Sequence, residues 1–494
     1  MVHQFCNNGY NIVMDTGSGA VHVTDDVVFD VLPVAEQTLK RLQGENAGAD
    51  GTAFFSPEDA PLQGKAARDA LREAVCSDLT LRRRYDRKTL DEALEDIFTL
   101  IETEQLFTED VYESAISAFT ARETVVKALC LNVAHDCNLR CSYCFADEGE
   151  YRGRRGMMSA EVGKAALDFL VRSSGNRRNL EVDFFGGEPL MNFPVVKELV
   201  AYGRELEQKH DKRFRFTLTT NGVLLTDEIL AFCNREMGNL VLSIDGRREI
   251  HDRMRPFADG TGSYDRIVKK LRKAAESRGQ KNYFVRGTFT RHNLDFAKDV
   301  LHLADLGFEQ ISVEPVVAQP SDDYALRMED VPLLCEQYDR LAQEMLKRRA
   351  EGRPFNFFHF NIDLEGGPCV YKRLSGCGAG CEYLGVTPWG ELYPCHQFVG
   401  DPDFIIGDVW KGVDQEDITG QFKQCNVYSR KECRDCFAKL YCSGGCAANA
   451  YHFDGKITGV YDVGCALQKK RIECAIMLKA ALSEEEEIRK EEAR

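Results

Sequence analysis

From residue 127 onward the apolar positions fall into short runs: "KALCLNVAHDC", "LEVDFFGGEP", "FRFTLTTNG", "LVLSIDG", "YFVRGTFT" and "ISVEPVV". Longer stretches with apolar residues at helical spacing separate them. Short apolar runs bounded by turn residues read as strands, and regular alternation of strand with helix predicts a parallel α/β sheet. In such sheets and barrels the chemistry gathers at the carboxyl ends of the strands. Here those ends carry a cysteine triplet, "GGEP", "TTNG" and "SIDG".

The flanks have other rhythms. Residues 1 to about 35 hold "YNIVMD" and "AVHVTDDVVFDVL" around "TGSG", which predicts strand, turn and strand leading into a helix. A flexible stretch begins at "ENAGADG", and "AARDALREAV" and "TLDEALEDIFTLIETEQLF" follow as amphipathic helices. Beyond about residue 366 periodicity fades while Gly, Pro and Cys rise, as in a region held by metal clusters more than by a core. The last residues, "SEEEEIRKEEAR", read as a solvated helix end. The expected units are an N-terminal domain at 1–108, a linker helix at 109–126, a central α/β unit at 127–340, a bridging segment at 341–365, a cysteine-rich domain at 366–480 and a charged tail at 481–494.

Composition narrows the function classes. A chain of 494 residues with 44% apolar content fills two or three domains. Its net charge of −16 speaks against a nucleic-acid partner, and the basic run "LRRRYDRK" reads as a solvated face. The N-terminus lacks a basic region followed by an apolar run, and no segment reaches about 18 uninterrupted apolar residues, so no membrane partner and a cytoplasmic location are expected. Nineteen cysteines in a reducing compartment point to metal or cluster ligation.

Cys137, Cys141 and Cys144 form CxxxCxxC directly after the first strand of the central unit. A 4Fe-4S cluster has four irons, so three thiolates leave one iron open for a chelating small molecule. The competing reading is a zinc loop completed by a distant ligand such as His135, but zinc gives no reason for the rim position or for "GGEP" on the next strand. A second field, "CRDCFAKLYCSGGC", holds Cys433, Cys436, Cys442 and Cys446, preceded by "GELYPC" ending at Cys395 and followed by Cys465. A zinc ribbon suits its CxxC pairs but leaves the interleaved cysteines unexplained.

The CxxxCxxC motif, with Tyr143 before its last cysteine, resembles the radical S-adenosylmethionine superfamily over residues 127 to about 320. The resemblance implies a partial (β/α)6 TIM-like barrel in which S-adenosylmethionine chelates the open iron and is cleaved to a 5′-deoxyadenosyl radical. It implies that Gly186, Gly187 and Glu188 hold the methionine amino group, that Ser243 and Asp245 lie near the ribose, that Arg286 pairs with the methionine carboxylate, and that Tyr143 packs beside the adenine. The second field resembles the SPASM extension of the same enzymes, which implies two auxiliary 4Fe-4S clusters and three clusters in all. Carried over, one auxiliary cluster takes Cys433, Cys436, Cys442 and Cys465, and the other takes Cys377, Cys395 and Cys446, with Cys381 either ligating or leaving an open iron. Cys6, Cys76, Cys130, Cys233, Cys335, Cys369, Cys425 and Cys474 remain, and small buried hydrophobes account for most of them. Cys369 and Cys425 lie closest to the auxiliary ligands in sequence.

The N-terminal unit resembles the winged-helix peptide-recognition element of enzymes that modify ribosomally made peptides, which implies a leader peptide added as a strand to a sheet edge. A purely structural cap on the barrel is the alternative. The opening "VHQFCNNGYNIVMDTGSGAVHVTDD" and "CGAGCEYLGVTPWGELYPCHQFVGD" resemble maturases of six-cysteines-in-forty-five-residues precursor peptides. That implies thioether crosslinks from cysteine sulfur to an acceptor such as threonine, with reducing equivalents from a flavodoxin or ferredoxin. His396 stands where sulfatase-maturing relatives carry a proton-accepting Asp, which counts against formylglycine formation. The alternatives are another modification on the same scaffold (a carbon–carbon crosslink, an epimerised centre or an oxidised side chain) or a non-catalytic, zinc-stabilised peptide-binding scaffold.

Overall fold

The computed structural model describes residues 1–45, 64–152, 154–364 and 370–492. The chain opens with a three-stranded antiparallel sheet of β1 (Val2–Asn7), β2 (Tyr10–Asp15) and β3 (Val21–Thr24), with β2 central. Asn8 and Gly9, at φ 48° and 88°, make the two-residue turn between β1 and β2, a conformation that an Asn-Gly pair adopts at low cost. The sequence pattern placed strands in "YNIVMD" and "AVHV" but none in "VHQFCN", where the polar residues blur the alternation. Helices α1 (Asp26–Glu45), α2 (Lys65–Ser77), α3 (Leu79–Arg84) and α4 (Arg87–Glu102) follow; "ENAGADG" beyond Glu45 lies outside the described residues. Helix α5 (Ile116–Ala121) is a short piece of the expected linker.

The central sheet has twelve strands in the order β11-β10-β9-β8-β7-β6-β4-β12-β13-β14-β15, with β5 attached to β4. The strands are β4 (Ala128–His135), β5 (Gly156–Met157), β6 (Asn179–Gly186), β7 (Arg213–Thr220), β8 (Met237–Ser243), β9 (Tyr283–Phe289), β10 (Gln310–Pro315), β11 (Asn356–Phe357), β12 (Tyr383–Val386), β13 (Glu391–Tyr393), β14 (Gly407–Asp408) and β15 (Gly412–Val413). Every pairing from β11 through β12 is parallel, and β4, β6, β7, β8, β9 and β10 with their intervening helices make the partial barrel. Those helices are α6 (Ala160–Ser173), α7 (Phe193–Lys209), α8 (Asp227–Glu236), α9 (Arg248–Met254), α10 (Tyr264–Ser277) and α11 (Ala297–Asp305), and α12 (Val331–Ala350) follows the last strand. Strand β4 is buried at every position, as a strand covered on both faces must be.

Strand β12 pairs in parallel with β4, aligning Gly385 with Cys130, so the cysteine-rich region continues the barrel sheet. Two expected boundaries fall inside helices: α12 crosses residue 340, and the final helix, Asp462–Glu492, runs through residue 480. A continuous helical period carries no mark of a domain border. Among the described residues no helix is long and apolar enough to cross a membrane.

The N-terminal sheet is shared between two cores. Phe5, Ile12 and Met14 join the core that contains the barrel strands, while Val13 packs with α1, α2 and α4, because successive strand residues face opposite sides. The sheet also meets the cysteine-rich region directly. His3 stacks on Phe437 with ring centroids 3.5 Å apart and bonds Glu473 at 3.0 Å. The linker does likewise: Asp110 accepts from Tyr428 Oη at 2.7 Å and pairs with Lys439 Nζ at 2.5 Å. The N-terminal unit is therefore built into the molecule. Ile12→Ala should cost about 2–5 kcal/mol and lower the main calorimetric transition of the whole chain. A separate early transition that leaves the main one in place would contradict the shared core.

Candidate functional site

The cysteine triplet occupies the loop that leaves β4 after His135. Backbone bonds dock that loop on the segment after α9, Arg140 N to Pro256 O at 2.8 Å and Ser142 N to Met254 O at 2.9 Å. Leu139 N points at Cys137 Sγ from 3.4 Å and Asn221 Nδ2 from 3.7 Å, so donors converge on the first sulfur. Burial pushes Cys137 up to about 12 and Cys141 up to about 11. At neutral pH these are thiols, and a coordinated cation is what deprotonates such groups.

Strand β6 ends in the "GGEP" turn, which crosses the cysteine loop at van der Waals distance. Gly187 N donates to Ala134 O at 2.8 Å and Glu188 N to Asp136 O at 2.9 Å. A Cβ on Gly186, at φ 129°, would meet Ala134 O at 2.2 Å, and one on Gly187 would meet Asp136 O at 2.2 Å. Only glycine permits that approach. The Glu188 carboxylate, 1% exposed, accepts from Leu190 N (3.0 Å), Thr220 Oγ1 (2.8 Å) and Asn221 N (2.8 Å). Its side chain thus ties the end of β6 to the "TTNG" end of β7, and burial raises it to about 7.

The other residues expected at the S-adenosylmethionine site lie on the same rim. Ser243 ends β8 and is paired in register with Arg286 of β9. Arg286 Nη2 donates to Glu314 Oε2 of β10 at 2.8 Å. Burial alone would raise Glu314, but Arg286, His359 and Arg471 outweigh it and hold the carboxyl down at about 2. Asp245 is fully buried and accepts from Tyr143 Oη at 2.8 and 2.7 Å and from Thr288 N at 3.1 Å.

Behind Tyr143 stands Arg255, which sequence reasoning missed. Its Nη1 donates to Tyr143 Oη at 2.9 Å and lies 3.7 Å from Asp245, and its charge acts on Cys141, Cys144 and Glu188. It sits in the ordinary-looking stretch "DRMRPF", so only the fold gives it this place.

The auxiliary cysteines gather into two sets. The charges of Cys433, Cys436, Cys442 and Cys465 act on one another, and so do those of Cys377, Cys395 and Cys446. Ser443, Gly444 and Gly445 stand in succession at φ 60°, 80° and 77°, so "CSGG" bends sharply enough to send Cys442 and Cys446 to different sets. Cys381 packs against the apolar cluster that holds Cys395 and Cys425, and its thiol donates to Thr419 O at 3.7 Å. Next to Cys395, His396 turns toward the barrel mouth, its ring 5.5 Å from Phe145 of the cysteine loop and 5.2 Å from Phe185 of β6. Tyr383 Oη meets its Nδ1 at 2.8 Å, and burial, with Arg286, lowers it to about 4.

Of the unassigned cysteines, Cys130, Cys233, Cys425 and Cys474 are buried, Cys76 and Cys335 are half-buried, Cys6 is exposed and Cys369 lies outside the described residues. Among the described residues no three His, Cys, Asp or Glu side chains already form a metal-binding group. What the chain supplies is the donor chemistry, thiols on loops flanked by donors and cations, and it fits iron-sulfur clusters.

Arg255 generates a direct test. Removing one member of a buried charge pair leaves the other uncompensated, so Arg255→Gln should cost about 3–5 kcal/mol in denaturant unfolding of the purified chain. A loss below about 1 kcal/mol would show that Asp245 and Tyr143 do not depend on it.

Comparison with known proteins places this geometry. Residues 131–331 match the Radical SAM superfamily. The cysteine-type anaerobic sulfatase-maturating enzyme of Clostridium novyi is 24% identical over 333 residues, covering 64% of this chain and 86% of the relative. The mycofactocin maturase MftC of Mycolicibacterium smegmatis is 26% identical over 359 residues, covering 70% and 86%. The radical SAM cyclopropyl synthase TigE of Paramaledivibacter caminithermalis is 21% identical, covering 70% and 72%. Among solved structures, native anSMEcpe with bound AdoMet superposes with a TM-score of 0.59 at 19% identity, covering 72% of this chain and 99% of its own. Streptococcus suis SuiB bound to S-adenosylmethionine gives 0.50 at 17% identity, covering 94% and 98%. The fold is shared with both, and residues 131–331, which carry the cysteine loop and the "GGEP" turn, are a domain that matches the Radical SAM superfamily.

Proposed function

We propose that this chain is a peptide maturase that joins a cysteine sulfur to a carbon of an acceptor residue, threonine being the expected one, in a ribosomally made, cysteine-rich precursor peptide. The observation that carries this reading is the position of His396. The residue after Cys395 packs on Phe145 of the cysteine loop and on Phe185 beside "GGEP". A peptide held at that mouth lies within reach of both the radical-forming loop and the Cys377, Cys395 and Cys446 set. The relatives include a sulfatase-maturating enzyme, and native anSMEcpe is solved with a bound Kp18Cys peptide, which supports a polypeptide substrate.

Cys137, Cys141 and Cys144 would hold the radical-generating cluster, and the auxiliary sets would hold two more. With S-adenosylmethionine bound, the site is supplied with a 5′-deoxyadenosyl radical able to take hydrogen from carbon. The chain's own residues do the rest. Gly186 and Gly187 keep the rim open for close backbone approach, Tyr143 and Asp245 hold the loop to the end of β8, and the stacked rings of Phe145 and Phe185 line the mouth. The net reaction would take one hydrogen atom from the acceptor carbon, one proton from the thiol and one electron; a cluster held by Cys377, Cys395 and Cys446 would supply the place for that electron, and a donor such as a flavodoxin or ferredoxin would supply the one that cleaves S-adenosylmethionine.

The N-terminal sheet would hold the leader. Strand β3 is an edge strand, and Val23 on it is 54% exposed. An exposed edge with an apolar side chain is a template for strand addition.

Anaerobic incubation of reconstituted protein, reductant, S-adenosylmethionine and a cysteine-rich precursor peptide should give a product lighter by two hydrogens and short of one alkylatable thiol by mass spectrometry. The same mass loss with every thiol still alkylated would favour a carbon–carbon or side-chain oxidation instead, and zinc without iron or sulfide would favour a binding scaffold. Replacing Cys137, Cys141 and Cys144 with Ala should abolish 5′-deoxyadenosine. Val23→Asp should weaken precursor binding in fluorescence anisotropy by roughly tenfold, about 1.4 kcal/mol, while peptide-free 5′-deoxyadenosine formation stays at the parent rate. Unchanged binding would remove the leader from this edge.

A further inference from the structure

We propose that the cavity between the end of β10 and the final helix holds an extended segment of the substrate peptide by its backbone, with Arg471 donating to a peptide carbonyl and Asn449 accepting from a peptide N–H. The inference rests on the polypeptide substrate proposed above and names the chain's own contacts to it.

The cavity has a volume of about 470 Å³, which is within the range of pockets that take small ligands. The end of β10 and the turn after β11 make one wall, with Glu314, Phe358 and His359. The helix Ala447–Asp454 and the final helix make the other, with Asn449 and Arg471. Glu314 also receives Arg286, and the charges of both act on His396, so the cavity adjoins the barrel mouth.

Two polar atoms of these walls are buried without a partner, Arg471 Nη2 and Asn449 Oδ1. Arg471 is 8% exposed, and its Nε donates to Tyr338 Oη at 2.8 Å and its Nη1 to Gln468 Oε1 at 3.3 Å. The guanidinium is therefore fixed in place with one donor group left over. An unpaired buried donor or acceptor keeps its whole desolvation penalty, and native proteins leave few of them. Here one of each stands on a single cavity.

The pair selects the ligand. A carboxylate would satisfy Arg471 but leave Asn449 Oδ1 without a donor, and the charge of Arg471 is already met by Glu314, whose carboxyl it helps to hold down. A cluster on the cysteine side of the cavity offers sulfur acceptors and leaves Asn449 unmatched in the same way. Arg430 is the arginine whose charge acts on Cys446 and Cys465, whereas that of Arg471 acts on Glu314, His359 and Tyr338. An extended peptide backbone presents one acceptor and one donor per residue, which is the complement of the two unpaired atoms. Phe358, 48% exposed on the same cavity, adds an apolar face for a side chain of that segment.

The test uses the full-length protein reconstituted anaerobically with iron and sulfide, and two fluorescein-labelled probes. One is the leader of a cysteine-rich precursor; the other is its core segment with every cysteine replaced by Ser, so that sulfur–iron contact plays no part. Arg471→Lys and Asn449→Ala should each weaken core binding in fluorescence anisotropy by roughly tenfold, while leader binding matches the parent. Replacing the core amides by esters one at a time removes the N–H and keeps the C=O. One position should then weaken binding to the parent and not to Asn449→Ala. Parent-like core binding in both variants overturns the assignment and leaves solvent as the partner of the two atoms, and an ester scan in which no position couples to Asn449 overturns it too. Loss of leader binding together with core binding makes the two residues structural and also overturns it. A parent that binds the leader alone has no core site here, which sinks the assignment by itself; one that binds neither probe overturns the polypeptide substrate proposed above, and this assignment with it.

Discussion

The crossing of two backbones at the barrel rim is the contact on which the site depends. Gly187 and Glu188 donate their N–H groups to the carbonyls of Ala134 and Asp136, and no side chain fits between them. Two hydrogen bonds of modest net value would not hold a loop alone. They are backed by Glu188, whose buried carboxylate binds Thr220 and Asn221 and so locks the next strand to the same point. The ends of β4, β6 and β7 are thereby fixed relative to one another, and the cysteine loop inherits that rigidity. A site that must hold three sulfurs and a small chelating ligand in one geometry needs such preorganisation.

Charge is the second constraint. The rim buries Glu188 and Asp245 beside three half-buried cysteines, and the cysteine-rich region buries Cys395, Cys425 and Cys433, in a chain already at −16. Buried anions are tolerated when cations are buried beside them. Arg255 lies beside the first loop and Arg430 beside Cys425, and at the more open end of β10 Arg286, His359 and Arg471 hold the Glu314 carboxyl down. These arginines lie far apart in sequence and on different elements, yet each stands next to thiols or carboxylates that the chemistry uses or that frame it.

The three sequence regions behave as one body for a packing reason. The N-terminal sheet gives one face to its own helices and the other to the barrel core, and His3 rests on Phe437, one residue after Cys436. Strand β12 extends the barrel sheet from the far side of the chain. On the proposed reading, a peptide at the β3 edge would meet a sheet packed on the barrel core.

Much of this was legible beforehand, and the division has a physical basis. Local rules act within a few residues, so alternation and turn chemistry reveal the barrel strands, the CxxxCxxC spacing singles out Cys137, Cys141 and Cys144, and "GGEP" at a strand end marks the rim. The strand "VHQFCN" escaped because its polar residues hide the period, and the borders at 340 and 480 fell inside helices because periodicity runs on through them. Arg255 and the burial of Arg430 were beyond reach for a different reason. Which cation neutralises which anion, and which sulfur turns inward, depends on elements that meet only when the sheet closes. The amino-acid order by itself determined the elements and the chemistry of their ends; the tertiary structure alone decided the partners of the buried charges, because burial and proximity are properties of the packed molecule and not of the chain.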